Sequence, residues 1–108
     1  MGQSLIYITA ASRDEALILA RHLVEERLVA CANILDGATS LYWWEGKVQE
    51  DREAVLIAKT RSAQADAVVA RVKALHSYSC PCVIALPIIG GNPEFLAWID
   101  GQTGLPER

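Results

Sequence analysis

No stretch of the 108 residues approaches the ~18–20 consecutive apolar positions that span a bilayer, so a membrane-crossing helix is excluded. Basic residues are in deficit: 10 Lys and Arg against 13 Asp and Glu leave a net charge of −3, with a pI near 5.3. Nucleic acid, which needs a clustered basic face, is therefore not an expected partner. Met1–Ala11 carries no basic segment ahead of its apolar run and is too short for a secretory leader, so the sequence reads as cytosolic. Cysteine is scarce and odd in number, three in all, which points to reduced thiols rather than a disulfide framework. There is no Gly-x-Ser-x-Gly, no His-Glu-x-x-His and no phosphate loop, and the chain is not read as an enzyme.

Apolar residues are plentiful instead. They make up 52% of the chain, and the mean hydropathy is +0.20. A chain this short forms one domain and buries only part of its surface, so the excess suggests an oligomer. The most informative stretch is Thr39–Thr60, which reads as two long strands joined at Glu45-Gly46. Glycine adopts φ > 0 freely, and a two-residue loop there sets Trp44 opposite Lys47 and Trp43 opposite Val48. Val55–Ala58 at the hairpin base is apolar on both faces and is expected to be buried. The tip mixes Tyr42, Trp43 and Trp44 with charged residues and overhangs what so small a core can cover. Sister subunits are the expected cover.

In chain order, Leu5–Thr9 suits a central strand. Ser12-Arg13-Asp14-Glu15 has the capping-box pattern, and Ala16, Leu19, Ala20, Leu23 and Val24 then mark one helix face, with Ile18 off it. Val29–Leu35 returns to extended character, and Asp36-Gly37 predicts a bulge or bend. After the hairpin, Ser62 is the expected cap of a second helix, whose face is Ala65, Val68, Val72 and Leu75, ending near His76. Cys82–Ile88 is a further strand. Asn92-Pro93-Glu94 starts a short C-terminal helix packing Phe95, Leu96 and Ile99, and the tail from Gly101 is expected to be loose. The order β-α-β, β-α-β predicts an α+β chain: a ferredoxin-like βαββαβ sandwich with a long central hairpin and a short final helix. The runs Leu5–Ile8, Val55–Ala58 and Val83–Leu86 leave the sheet's other face apolar, a second pointer to an oligomer.

Several of these segments together resemble one family. Ala30-Cys31-Ala32-Asn33-Ile34, Thr39 through Lys47 with its Tyr-Trp-Trp-Glu-Gly-Lys run, Ile57-Ala58-Lys59-Thr60, and Ala85-Leu86-Pro87-Ile88 with Gly91-Asn92 are similar to the CutA divalent-cation tolerance proteins. The resemblance spans about Leu5 to Ile99. It implies a PII-like homotrimer linked to tolerance of copper and other divalent metals, with no catalytic activity and no required cofactor. Two departures stand out. Copper-binding bacterial members carry a cysteine where this chain has Ala10, and the family's His-Pro-Tyr reads His76-Ser77-Tyr78 here.

The residues offer three site readings. Cys80-Pro81-Cys82 puts two thiols on one side of an extended segment, and with His76 nearby they suit Cu(I) or Zn(II) as a bound metal ion; otherwise Cys82 simply begins a buried strand. A cleft between subunits, lined by Trp44, Lys59, His76 and Tyr78, would take a small anionic ligand in the manner of a PII-like sensor. The third reading is a trimeric scaffold without a ligand. Each residue also has a plain structural role: His76 as a cap facing the helix dipole, Lys59 in a salt bridge, Cys31 in the core, and the acidic run Glu50-Asp51 with Glu53 as a solvated edge.

Overall fold

Alternation sets the architecture. In the computed structural model, which describes residues 2–104, every second residue of β1 (Gln3–Ala10) is buried: Ser4, Ile6, Ile8 and Ala10. The same period continues in β3 (Lys47–Arg61), where Ala54, Leu56, Ala58 and Thr60 are buried. Period two means that these residues share one sheet face, and helices cover it. Helix α1 (Arg13–Glu25) contributes Ala16, Leu19, Ala20 and Leu23, and α2 (Ala65–Leu75) contributes Val68 and Val72. Each fully buried Leu, Ile or Val stabilises the fold by about 1.5–3 kcal/mol relative to exposure, so this layer is what holds the domain together.

The sheet has the order β2-β3-β1-β4, with β2 at Cys31–Trp44 and β4 at Val83–Ile88, and all neighbours run antiparallel. This is the ferredoxin-like α+β sandwich expected from the order of elements. Helix α3 (Pro93–Gln102) closes the chain. At the start of α1 the Ser12 hydroxyl accepts from the Glu15 N–H at 3.1 Å, while Glu15 Oε1 accepts from the Ala11 N–H at 3.0 Å. The Asn92 side chain caps α3 with Pro93 at its first position, as read from the sequence.

The hairpin pairs Trp44 with Lys47 and Trp43 with Val48. Glu45 and Gly46 both have positive φ, 52° and 78°, the signature of a type I′ turn. At Asp36-Gly37 the register shifts between Leu35 and Ala38, so β2 carries one extra residue there. Gly37 sits at φ 83°, and a Cβ there would come within 3.2 Å of the Arg52 guanidinium. Glycine is needed for the backbone and for the close approach. β1 pairs with β3 only from Ala54 to Arg61, so the hairpin beyond that point has no third strand. At about 3.3 Å per residue the overhang is roughly 20 Å long.

Several expectations are corrected. Ser62 caps nothing: a 3₁₀ turn, Ser62–Gln64, intervenes, and its hydroxyl pairs with Ser4 Oγ at 2.8 Å. Phe95 does not pack inward but stacks on Trp98 at the surface, leaving Ile99 as the buried residue of α3. Gly101 and Gln102 belong to α3. Thr103 is buried and accepts from Arg61 Nε, and the Gly104 N–H donates to Arg27 O at 3.0 Å, so 101–104 is fastened down. Residues 105–108 of the expected loose tail lie outside the described residues. Cys31 is half-buried on the uncovered sheet face opposite Lys59 rather than in the core. Ile18 is exposed, off the face of α1 as its spacing implies. On that uncovered face Leu35, Ile84 and Leu86 are about half exposed.

Candidate functional site

The bulge and the overhang shape a groove. Beyond Asp36-Gly37 the two hairpin arms run past the end of β1 and face the segment that follows α2. Between them lies a cavity of about 680 Å³. Its wall includes Tyr42 and Trp44 from β2, Glu53 from β3, and Tyr78, Cys80 and Cys82 from the segment before β4.

Glu53 is 8% exposed, and its Oε2 accepts the Tyr78 hydroxyl at 2.8 Å. Burial, and next this hydrogen bond with the carboxylate's charge, push the Tyr78 phenol well above its ordinary value, so it remains a donor. On the neighbouring rungs the Tyr42 hydroxyl donates to Asp51, and that bond holds its phenol up as well.

Behind Tyr78 lies His76, buried, with the two rings 4.7 Å apart. Its Nε2–H donates to Thr9 O at 2.7 Å, and its Nδ1 accepts from the Tyr78 N–H at 3.1 Å. These partners assign the proton to Nε2 and occupy both ring nitrogens. Glu15 spans the same junction: Oε2 accepts from the Ser77 N–H at 2.7 Å and lies 3.6 Å from His76 Nδ1. Burial raises the Glu15 carboxyl, but the hydrogen bonds from Ala11 and Ser77 outweigh it and hold it below its ordinary value. The end of α2 is thus tied to the start of α1.

The sequence-based set divides. Trp44, Tyr78, Cys80 and Cys82 come together on the groove. His76 stands behind the wall; it is neither a dipole cap, since its ring bonds Thr9, nor a free nitrogen donor. Lys59 is elsewhere: it sits opposite Leu5 and Cys31, and its Nζ donates to Asn33 Oδ1 at 3.2 Å. Its partner is a neutral amide rather than the carboxylate expected, and it supplies no positive charge to the groove. The three-donor set of His76, Cys80 and Cys82 does not assemble either: among the described residues no three His, Cys, Asp or Glu side chains converge as a metal-holding group. Cys82 precedes β4 and is exposed, not the first residue of a buried strand. Glu53, read as a solvated edge residue, is the groove's buried carboxylate. Its one signal was position, directly before the apolar run Ala54–Ala58.

Among the described residues no helix is long and apolar enough to cross a membrane. The family described as CutA1 divalent ion tolerance protein matches residues 4–102. "Protein CutA 1, chloroplastic" of Oryza sativa subsp. japonica is 48% identical over 99 residues, which are 92% of this chain and 56% of the rice protein. "Divalent-cation tolerance protein CutA" of Thermus thermophilus is 46% identical over 102 residues, 94% of this chain and 99% of that protein. The chain thus spans about half the length of the rice relative and nearly all of the bacterial one. The solved Thermus thermophilus structure superposes with a TM-score of 0.92 at 46% identity, covering 94% and 99% of the two chains. A structure from Archaeoglobus fulgidus, described as a periplasmic divalent cation tolerance protein, gives 0.90 at 47% identity, covering 93% and 97%.

Proposed function

This chain belongs to the CutA1 family of divalent ion tolerance proteins, and from that premise we propose that it acts without catalysis in the response to metal ions, as a homotrimer that binds a soft ion such as Cu(I) through Cys80 and Cys82. The observation that carries this reading is the pair of exposed thiols on the wall of the groove. Two thiolates are soft donors suited to Cu(I), which accepts two sulfurs, whereas a harder divalent ion wants more ligands than these residues provide. The proposal drops His76 as a ligand, because both its nitrogens are engaged.

Self-assembly is supported by surface that one protomer leaves bare. Trp43 is 74% exposed and Leu41 66%, and Leu35, Ile84 and Leu86 lie open on the sheet. Apolar surface of this kind marks contacts, and three copies would cover it. The free thiols fit a reducing compartment, and a cytosolic location completes the proposal.

Titration of the reduced protein with Cu(I) tests the metal reading. The Cys80→Ser/Cys82→Ser variant should lose at least about tenfold in affinity, or 1.4 kcal/mol. Equal affinity would end it. Sedimentation equilibrium at micromolar concentration tests the assembly: three chains are expected, and a folded lone protomer would refute it.

A further inference from the structure

The same groove carries a feature that thiols do not use. Glu53 is the one charged side chain on its wall; no Lys, Arg or His among the described residues lines it. Arg52, beside it in the chain, alternates to the other face of the strand, and the next charge on Glu53's own face, Asp51, is also negative and is held by Tyr42. The field in the groove therefore favours a cation. Glu53 is also only half satisfied. Its Oε2 takes the Tyr78 hydroxyl, while Oε1 accepts no hydrogen bond from any described residue. No fully buried side-chain oxygen or nitrogen among them lacks a partner, so Oε1 is not sealed from open space; Glu53 borders both this groove and a shallower pocket lined by Arg13, Asp36 and Arg52. A carboxylate with so little access to water is costly unless a donor or positive charge meets it.

The surroundings choose the kind of cation. A volume of about 680 Å³ suits a small molecule rather than a bare ion. A hard metal ion at Glu53 would find a single carboxylate and no converging group of three donors among the described residues. Tyr42, Trp44 and Tyr78 offer aromatic faces, which attract ammonium groups within about 6 Å and pack against hydrocarbon. We propose that the groove binds a protonated organic amine, an ammonium group on an apolar stem, with Glu53 as its counter-ion and hydrogen-bond acceptor and the aromatic side chains holding the stem. The amine's N–H donates to Oε1, while Tyr78, fixed by Oε2, keeps the carboxylate aimed. This occupant has the opposite charge from the small anionic ligand that the sequence suggested, because Lys59 is not in the groove. The inference concerns Glu53 and the aromatics and not Cys80 and Cys82, so it and the copper reading fail separately.

The test uses the full-length reduced protein without added metal. 2-Phenylethylammonium, the neutral 2-phenylethanol and the anionic 3-phenylpropionate are titrated by calorimetry, with the Trp44 indole N–H followed by NMR. The ammonium compound should bind saturably and shift the Trp44 signal, at least about tenfold more tightly than the alcohol, and the anion should bind more weakly still. Glu53→Gln, which preserves shape and an acceptor for Tyr78, should erase the preference for the ammonium over the alcohol, with circular dichroism confirming the fold. Lys59→Gln, outside the groove, should change nothing. Equal binding of ammonium and alcohol to the unaltered protein overturns the proposal without reliance on any variant. So does an undisturbed Trp44 signal at millimolar ammonium, or full preference retained in folded Glu53→Gln.

Discussion

The two halves of β3 belong to one strand yet live in different environments. From Ala54 to Lys59 it is flanked by β1 and β2, and every second side chain is sealed under the helices. From Lys47 to Glu53 it has β2 alone, and Val48 is largely exposed although Leu56 is wholly buried. Lys47–Glu53 is mostly polar, so the telling comparison is between its one apolar residue, Val48, and Leu56: what separates these two is the number of neighbouring strands. An apolar residue is buried where the topology supplies a covering layer, and the topology of one protomer ends at Ala54. What the tip's aromatics are for must be answered by something the base does not need.

The strongest way to break this contrast is to cut the same methyl groups from the base of β3 and from the hairpin tip, where β2 supplies the leucine. Leu56→Ala should cost about 2–5 kcal/mol in urea unfolding, through lost transfer energy and the cavity left behind. Leu41→Ala at the tip should act on assembly instead, shifting sedimentation toward lone chains while circular dichroism at high concentration stays unchanged. Similar losses of intrinsic stability would erase the distinction.

A smaller effect sharpens it through charge. Glu15 locks the base by joining Ala11 and Ser77, and its carboxyl titrates below 4.5 in the folded chain. A depressed folded value means that this stabilisation is present above about pH 4.5 and is lost as pH falls through the lower folded value. Glu15→Gln should therefore cost about 0.5–1 kcal/mol at pH 7, and the gap to the unaltered protein should close in acid. A pH-independent gap would mean that packing, not charge, is at stake. The smallest change belongs to the turn. Glu45 holds a left-handed conformation at φ 52° without being glycine, and Glu45→Asn should raise the thermal midpoint, by about 0.5 kcal/mol in stability. A lower midpoint would show that Glu45 makes a contact the turn geometry does not explain.

Local chemistry was readable in the sequence. The turn at Glu45-Gly46, the Ser12 and Asn92 caps, the bulge at Asp36-Gly37 and the α2 face of Val68 and Val72 each depend on residues within a few positions of one another. The failures depended on distant partners. Ser62 looked like a cap until Ser4 of β1 supplied its hydroxyl partner. Lys59 seemed to need a carboxylate, yet Asn33 on the adjacent strand serves it. His76 and Tyr78 stand out in the sequence, but only the fold places Thr9 on one ring nitrogen and Glu53 on the phenol. Glu53 itself looked like one more acidic surface residue, because its burial is decided by Tyr78, 25 residues away in the chain.

The extra residue at Asp36-Gly37 works as a vernier between two rulers. The helix layer dictates the phase of β2 below it, and the Glu45-Gly46 turn dictates the phase above it; the two scales disagree by one notch. Shortening β2 there by a single residue would merge the two scales into one unbroken ladder, keeping the other pairs and removing the bend and extra twist that the bulge adds. Trimming one residue from each arm of the overhang would keep the pairing but turn every side chain beyond the cut to the opposite face, whereas trimming two from each arm would preserve both. Length variation in the overhang should therefore be tolerated in steps of two residues per arm and rejected in steps of one.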